Sequence, residues 1–336
     1  MIVYISAETL DDLMMKVLKK VLKSKSIITS TRGSSIEIDG VLLQLKSPRA
    51  RLSRTEKKGT VFSCLGELLW YLSKGNDLDF IKYYIPKYEE ESQDGKTVYG
   101  GYGPRLFDFR NNNQIQNVIN LLSSNPNSRR AVIQLFDSSD ISEKLKEIPC
   151  TCTLQFIIRN NKLHMLTNMR SNDAFIGLPH DIFCFTMIQE VLSRKLNVGL
   201  GVYKHFVGSL HLYEDSVKEA RLYINEGWQE EVFMPEMPLG DPWPSIETVI
   251  EFESAIRKGG SVDMSLTGSS LNEYWKDIVR LLLIYKSLRG KNLKNVVSVK
   301  NEMDSDIYES YIRKKMVTKN SKVNIKEQLD LYSSDE

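Results

Sequence analysis

The sequence predicts an α+β protein, with a body of interleaved strands and helices to about residue 243 and a helical C-terminal extension. Three observations predict it. Strand-like runs such as "AVIQLF", "CTCTLQFIIR", "KLHMLTNMR" and "VYKHFVGSLHLY" alternate with helical periodicities. The "NN" joining two of these runs has the length and residues of a two-residue hairpin. After about Pro244 the strand signal stops and helical repeats take over.

In order along the chain, Thr9 to Lys23 reads as a helix. Leu10, Leu13, Met14, Val17, Leu18, Val21 and Leu22 fall on one apolar stripe. Two short strands are expected at "SIEIDG" and "VLLQLK". "TVFSCLGELLWYLSKG" reads as a helix apolar on nearly every side, therefore buried, closed by Gly75 as its C-cap. "YGGYGPRL" reads as a glycine-rich loop and "QIQNVINLL" as a short amphipathic helix before the turn "SSNPNS". Pro179 to Leu196 is a buried helix. "SIETVIEFESAIRK", "LNEYWKDIVRLLLIYKSLR" and the polar stretch through Lys315 are helices, and "DLYSSDE" is a disordered end. The expected domains are therefore 1–243 and 244–336.

Composition narrows the function classes. With 41% hydrophobic and 26% charged residues the chain is an ordinary globular one, and its formal net charge of +2 gives no general attraction to nucleic acid or membrane. The first apolar run is broken by "DD" and "KK", and "RLLLIYKSL" is too short to span a bilayer. Four cysteines without disulfide-like spacing fit a reducing cytoplasm. Cys150 and Cys152 form a C-x-C, not a zinc-type C-x-x-C, and no metal is expected.

Strand alternation puts Cys150, Cys152, Leu154 and Phe156 on one face if the strand begins that early, which leaves the two thiols undistinguished. The same rule groups His205, Ser209, His211 and Tyr213. A polar, aromatic face there is either the lining of a pocket or a sheet face turned to solvent.

Six pieces in order, "GELLWYL", "VYGGYG", "SRRAVIQL", "PCTCTLQF", "MRSNDAFIGLPHD" and "GSLHLY", resemble the thymidylate synthases and their nucleotide hydroxymethylase relatives. The resemblance runs from about Arg32 to Tyr213. It implies a homodimer of subunits, each a large twisted mixed β-sheet flanked by helices. It also implies methylenetetrahydrofolate as cosubstrate and a pyrimidine nucleoside monophosphate as substrate.

The matched positions imply roles. Cys150, between the proline and the glutamine-phenylalanine pair, is the nucleophile that adds to C6 of the base and makes C5 nucleophilic. A free thiol has a pKa of about 8.5 and needs a nearby cation, here Arg170, which with Ser171 also holds the phosphate. Arg129 and Arg130 resemble the pair that serves the partner's phosphate, and Arg32 the flexible-loop arginine, since guanidinium forks suit a phosphate. Glu67 resembles the glutamate that organises water and proton transfer at the ring. Tyr99 and Gln155 fit polar contacts around the site, and His211 with Tyr213 matches the pair that bonds the sugar hydroxyl. Asp173 and Gly177 match the folate side.

Three departures refine this reading. His180-Asp181 stands where the family usually has phenylalanine-asparagine. Asparagine reads uracil, whereas a carboxyl suits the amine of cytosine, and aspartate here resembles the cytidylate hydroxymethylases. Asp181 could instead serve helix N–H groups after Pro179. Thr151 replaces a histidine after the nucleophile, and helices replace the family's terminal strand and folate-covering tail. The expected activity is hydroxymethylation of a cytosine nucleotide at C5. The alternatives are a divergent thymidylate synthase acting on dUMP and a nucleotide-binding pseudo-enzyme.

Overall fold

The computed structural model describes residues 3–30, 32–53, 55, 61–142, 144–260 and 270–316, so the end expected to be disordered lies outside the described residues. Strand β1 (Val3–Ala7) leads to Thr9, whose hydroxyl accepts from the Asp12 amide at 3.1 Å and caps helix α1 (Leu10–Val21). Asp11 and Asp12 in its first turn and Lys19 and Lys20 in its last suit the helix dipole. The predicted stripe from Leu10 to Val21 is buried.

Strand β2 (Ile27–Ser30) pairs with β3 (Gly33–Leu45), one long strand where two short ones were expected. Gly40, at φ 62°, supplies the bend that looked like a break. Helix α2 (Val61–Leu72) is buried on nearly all sides, as its composition predicts. Its end differs from expectation. Lys74, at φ 67°, takes the left-handed conformation instead of Gly75. The close approach here needs Gly103, since a Cβ on it would lie 2.2 Å from the Gly75 carbonyl oxygen, whereas a Cβ on Gly75 would meet only Ser73 Oγ at 3.8 Å.

Two short helices, α3 (Leu78–Tyr84) and α4 (Tyr88–Glu91), follow, and the second half of the expected glycine loop is helix α5 (Tyr102–Phe107). Gly103 is helical there because only a residue without a side chain fits against Gly75. Helix α6 (Gln114–Ser124) is capped by Asn113 and precedes β4 (Val132–Gln134). β5 (Thr151–Arg159) and β6 (Lys162–Asp173) form the predicted hairpin, with Asn160 and Asn161 at φ 50° and 55° as a type I′ turn requires. Helix α7 (Gly177–Lys195), β7 (Gly199–Tyr213) and α8 (Glu214–Asn225) follow.

The strands form a mixed sheet in the order β1-β3-β7-β6-β5-β4, with β2 beside β3; β1–β3 and β6–β7 are parallel and the other pairs antiparallel. Helix α7 packs on β6 and β7. Cross-strand rows such as Leu43–His205–Thr167–Leu154–Ile133 are wholly buried beneath the helices. Full burial of a leucine or phenylalanine contributes about 1.5–3 kcal/mol, so these rows dominate the core. On the opposite face, the row Tyr4–Leu42–Phe206 and its neighbours Leu166 and Val132 remain partly exposed.

The buried face does not keep one parity. In β7 the buried positions run Tyr203, His205, Val207, then Leu210 and Leu212; in β6 they run Thr167, Met169, then Asn172. Both strands slip at the level where Gly208 lies against Arg170, with a Cβ on Gly208 only 2.9 Å from the Arg170 carbonyl oxygen. His205 therefore parts from Ser209, His211 and Tyr213, which corrects the single face that alternation predicts. In β5 a bulge between Thr151 and Thr153 has a similar effect. Thr151, paired with Met169, shares the core face with Leu154 and Phe156, and Cys150 and Cys152 do not continue it.

The described residues fall into two compact units divided between Ile250 and Glu251, within helix α9 (Trp243–Arg257). The second unit contains helix α10 (Glu273–Arg289) and α11 (Leu293–Asn301), as predicted. In it Asp277 pairs with Arg280 at 2.8 Å and accepts from the Asp304 and Ser305 amides. No helix among the described residues is long and apolar enough to cross a membrane.

Candidate active site

Cys150 stands one residue before β5, at the end of a loop that Arg170 of β6 holds from two sides. The Arg170 amide donates to the Cys150 carbonyl at 2.9 Å. Its guanidinium donates to the Pro149 and Ile148 carbonyls at 3.0 and 3.2 Å and approaches Cys150 Sγ at 3.6 Å. Burial pushes the Cys150 thiol up to about 11, against the pull of Arg170. Glu147 and Asp181 also raise it, and Arg32 lowers it. Arg170, Arg32, Glu147 and Asp181 thus all lie within electrostatic reach of Cys150.

Glu67 is buried in the middle of α2. Its Oε1 accepts from the Tyr71 hydroxyl at 2.9 Å and the Tyr88 hydroxyl at 2.7 Å. Burial, with the Glu67 charge, pushes both phenols well above their ordinary range, so they remain donors. The carboxylate has the partners a buried charge requires, one helical turn away and on α4.

Asp181 is the fifth residue of α7, and its carboxyl takes no helix amide. Asn172 Nδ2 donates to its Oδ2 at 3.0 Å. Asp173 serves the helix entry instead, accepting from the Phe175 and Ile176 amides at 2.7 and 2.8 Å. The capping alternative for Asp181 is therefore corrected: the helix starts at Gly177, so Asp181 lies too deep to reach the unpaired amides. Burial, reinforced by Glu67, raises the Asp181 carboxyl to about 8. It is mostly neutral at pH 7, with one donor and one acceptor. His180 turns aside, bonding the Ser63 hydroxyl and the Ile176 carbonyl at 2.9 Å each.

The remaining expected residues spread around this centre. Ser171 Oγ lies 3.3 Å from His211 Nδ1, and the His211 ring meets Tyr213 edge-on at 4.9 Å. Gln155 donates to the Arg129 carbonyl at 3.2 Å, while the side chains of Arg129 and Arg130 are exposed. Arg32 pairs with Glu91. Tyr99 is half-exposed, with its ring 5.2 Å from the Arg105 guanidinium. Gly177 leaves room beside Asp181, since a Cβ there would stand 3.1 Å from Asn172 Oδ1. The partly exposed Asp173 carboxylate beside the exposed Ile176 offers an acceptor and an apolar surface, which fits the amino-bearing edge of a pterin.

Several site residues were not anticipated. Tyr71 was readable as the i+4 neighbour of Glu67. Tyr88 and Asn172 carried no such local signal. Nor did Glu147, whose carboxyl burial raises to about 7, with Glu91 adding, and which accepts from the Gly100 amide at 3.0 Å.

The profile of the thymidylate synthase family matches residues 9–252. A deoxyuridylate hydroxymethyltransferase of Delftia phage PhiW-14 is 29% identical over 243 residues, which is 67% of this chain and 66% of that protein. A thymidylate synthase of Buchnera aphidicola subsp. Baizongia pistaciae is 28% identical over 223 residues, 62% of this chain and 81% of its own length. The chain thus spans just under two thirds of the phage relative.

Proposed function

The chain belongs to the thymidylate synthase family, and from that premise we propose that it hydroxymethylates C5 of a cytosine nucleoside monophosphate. The observation that carries the choice of base is Asp181, a half-buried carboxyl tied to Asn172, standing where the family pattern has asparagine. Its neutral form accepts from the N4 amine and donates to N3. Ionised, it would leave two acceptors facing each other.

Methylenetetrahydrofolate, the cosubstrate of the family, supplies the one-carbon unit when bound, and Asp173 and Gly177 are the residues assigned to its side. Cys150 attacks C6 as thiolate, with Arg170 as the cation that favours the charged form. Glu67, fixed by Tyr71 and Tyr88, orients the water that completes the hydroxymethyl group. Arg170 and Ser171 hold the phosphate, and His211 with Tyr213 the sugar. The partly exposed apolar residues on the sheet's second face support a homodimer in which Arg129 and Arg130 serve the partner's site.

Hydroxymethylation of deoxyuridylate is the second reading. It is supported by the phage relative named for that activity and by the ability of a neutral carboxyl to pair with uracil as well. The test incubates the protein with methylenetetrahydrofolate and each of dCMP, CMP, dUMP and UMP, and reads product mass. A hydroxymethylated cytosine nucleotide is the expected product. A methylated uracil product would assign thymidylate synthesis instead, and no product from any of the four would overturn the enzymatic reading.

A further inference from the structure

Behind Asp181 runs a line of buried polar groups that the proposed reaction does not use. Asn172 Nδ2 lies 3.0 Å from Asp181 Oδ2, 3.2 Å from His205 Nε2 and 2.9 Å from Met169 Sδ. His205 Nδ1 lies 2.7 Å from the Tyr203 hydroxyl, which donates to Thr167 Oγ1 at 3.1 Å. Asn172, His205, Tyr203 and Thr167 are each at most 3% exposed.

The line has one consistent direction. A thioether sulfur accepts and does not donate, so Met169 holds the nitrogen side of the Asn172 amide toward it. The two amide hydrogens go to the stronger acceptors, His205 Nε2 and Asp181 Oδ2, and the weakly accepting sulfur shares one of them. With Nε2 accepting, His205 carries its proton on Nδ1 and gives it to the Tyr203 oxygen, whose own hydrogen goes to Thr167. Burial depresses the His205 pKa to about 3, so the ring stays neutral.

The direction matters because cytosine and uracil present opposite edges. Cytosine has an acceptor at N3 and a donor at N4; uracil has a donor at N3 and an acceptor at O4. A neutral carboxyl whose proton moves freely between its oxygens complements both. We propose that Asn172 and His205 are positioning residues for base selection, making Asp181 Oδ2 the acceptor and Oδ1 the donor so that only one pyrimidine edge pairs. The inference rests on the reading that Asp181 faces the base, and holds whichever base is preferred.

The test compares wild type, Asp181→Asn, Asn172→Ala and His205→Gln with dCMP, CMP, dUMP and UMP in the presence of methylenetetrahydrofolate. The readout is the kcat/KM ratio of cytosine to uracil nucleotides, with melting temperature as control. Asn172→Ala should move the ratio at least tenfold toward unity. His205→Gln, whose amide can present nitrogen or oxygen to Asn172, should move it severalfold in the same direction. A purely structural role lowers both substrates together, so an unchanged ratio in a folded variant overturns the inference. If Asn172→Ala does not fold, His205→Gln decides. If wild type converts none of the four nucleotides, or Asp181→Asn leaves the ratio unchanged, the functional reading itself fails. If Asp181→Asn moves the ratio and Asn172→Ala does not, only the role of Asn172 and His205 is lost.

Discussion

Cys150 and Cys152 differ in what holds them, although only Thr151 separates them. Arg170 fastens the loop that carries Cys150 and points its guanidinium at that sulfur. Cys150→Ala should therefore abolish turnover while a radiolabelled nucleotide still binds, whereas Cys152→Ala should keep turnover and lose about 1 kcal/mol of stability. An active Cys150→Ala would reverse the assignment. Asp181 gives a pH prediction. Its folded-state pKa of about 8 lies above the ordinary 3.8, so between those values the folded chain holds a proton that the unfolded chain has released. This contribution is fully present below pH 3.8 and is lost as pH rises through 8. Glu67 and Asp173 reinforce the shift, while His180 and the Asn172 hydrogen bond oppose it. In the Cys150→Ala background, where the thiol no longer titrates, affinity for dCMP should weaken above pH 8. Asp181→Asn should remove that dependence; a flat titration of the unsubstituted Asp181 would contradict it.

At the scale of elements, what was legible in the sequence was what neighbours along the chain decide. The apolar stripe of α1 and the Asn160–Asn161 hairpin each depend on residues within a turn or two, and both formed as predicted. Gly75 was not the C-cap it read as, and Gly103 did not read as helical, because its need for glycine is set by the Gly75 backbone about thirty residues away along the chain. Nor did strand alternation survive the bulge after Cys150 or the slip at Gly208. The candidate site divides in the same way: Cys150, Glu67 and Arg170 sit in recognisable local patterns, but the Tyr88 to Glu67 bond and the Asn172 to His205 contact exist only after folding. Gly208 allows a direct test. A methyl group there meets the Arg170 carbonyl oxygen at 2.9 Å, so Gly208→Ala should destabilise by about 1–3 kcal/mol. Because Arg170 fastens the Cys150 loop, kcat should fall as well, and a variant with wild-type melting and kinetics would remove Gly208 from this account.

At the scale of the whole molecule, the proposed dimer makes each site depend on two chains. Inactive Cys150→Ala and inactive Arg130→Ala subunits, mixed under conditions that permit exchange, should recover activity. One site of each hybrid then carries both defects and the other carries neither. Recovery that fails although heterodimers are demonstrated would confine Arg130 to its own subunit.

The slip along β7 also determines which mutations the strand can bear. Before Gly208 the odd-numbered positions Tyr203, His205 and Val207 are sealed inside; beyond it the even-numbered Leu210 and Leu212 are. A saturation scan of this strand should show intolerance of polar substitutions changing from odd to even positions within three residues. A single-residue deletion near Gly208 would bring the two buried sets into one phase, which a regularly alternating strand could seal inside without the slip.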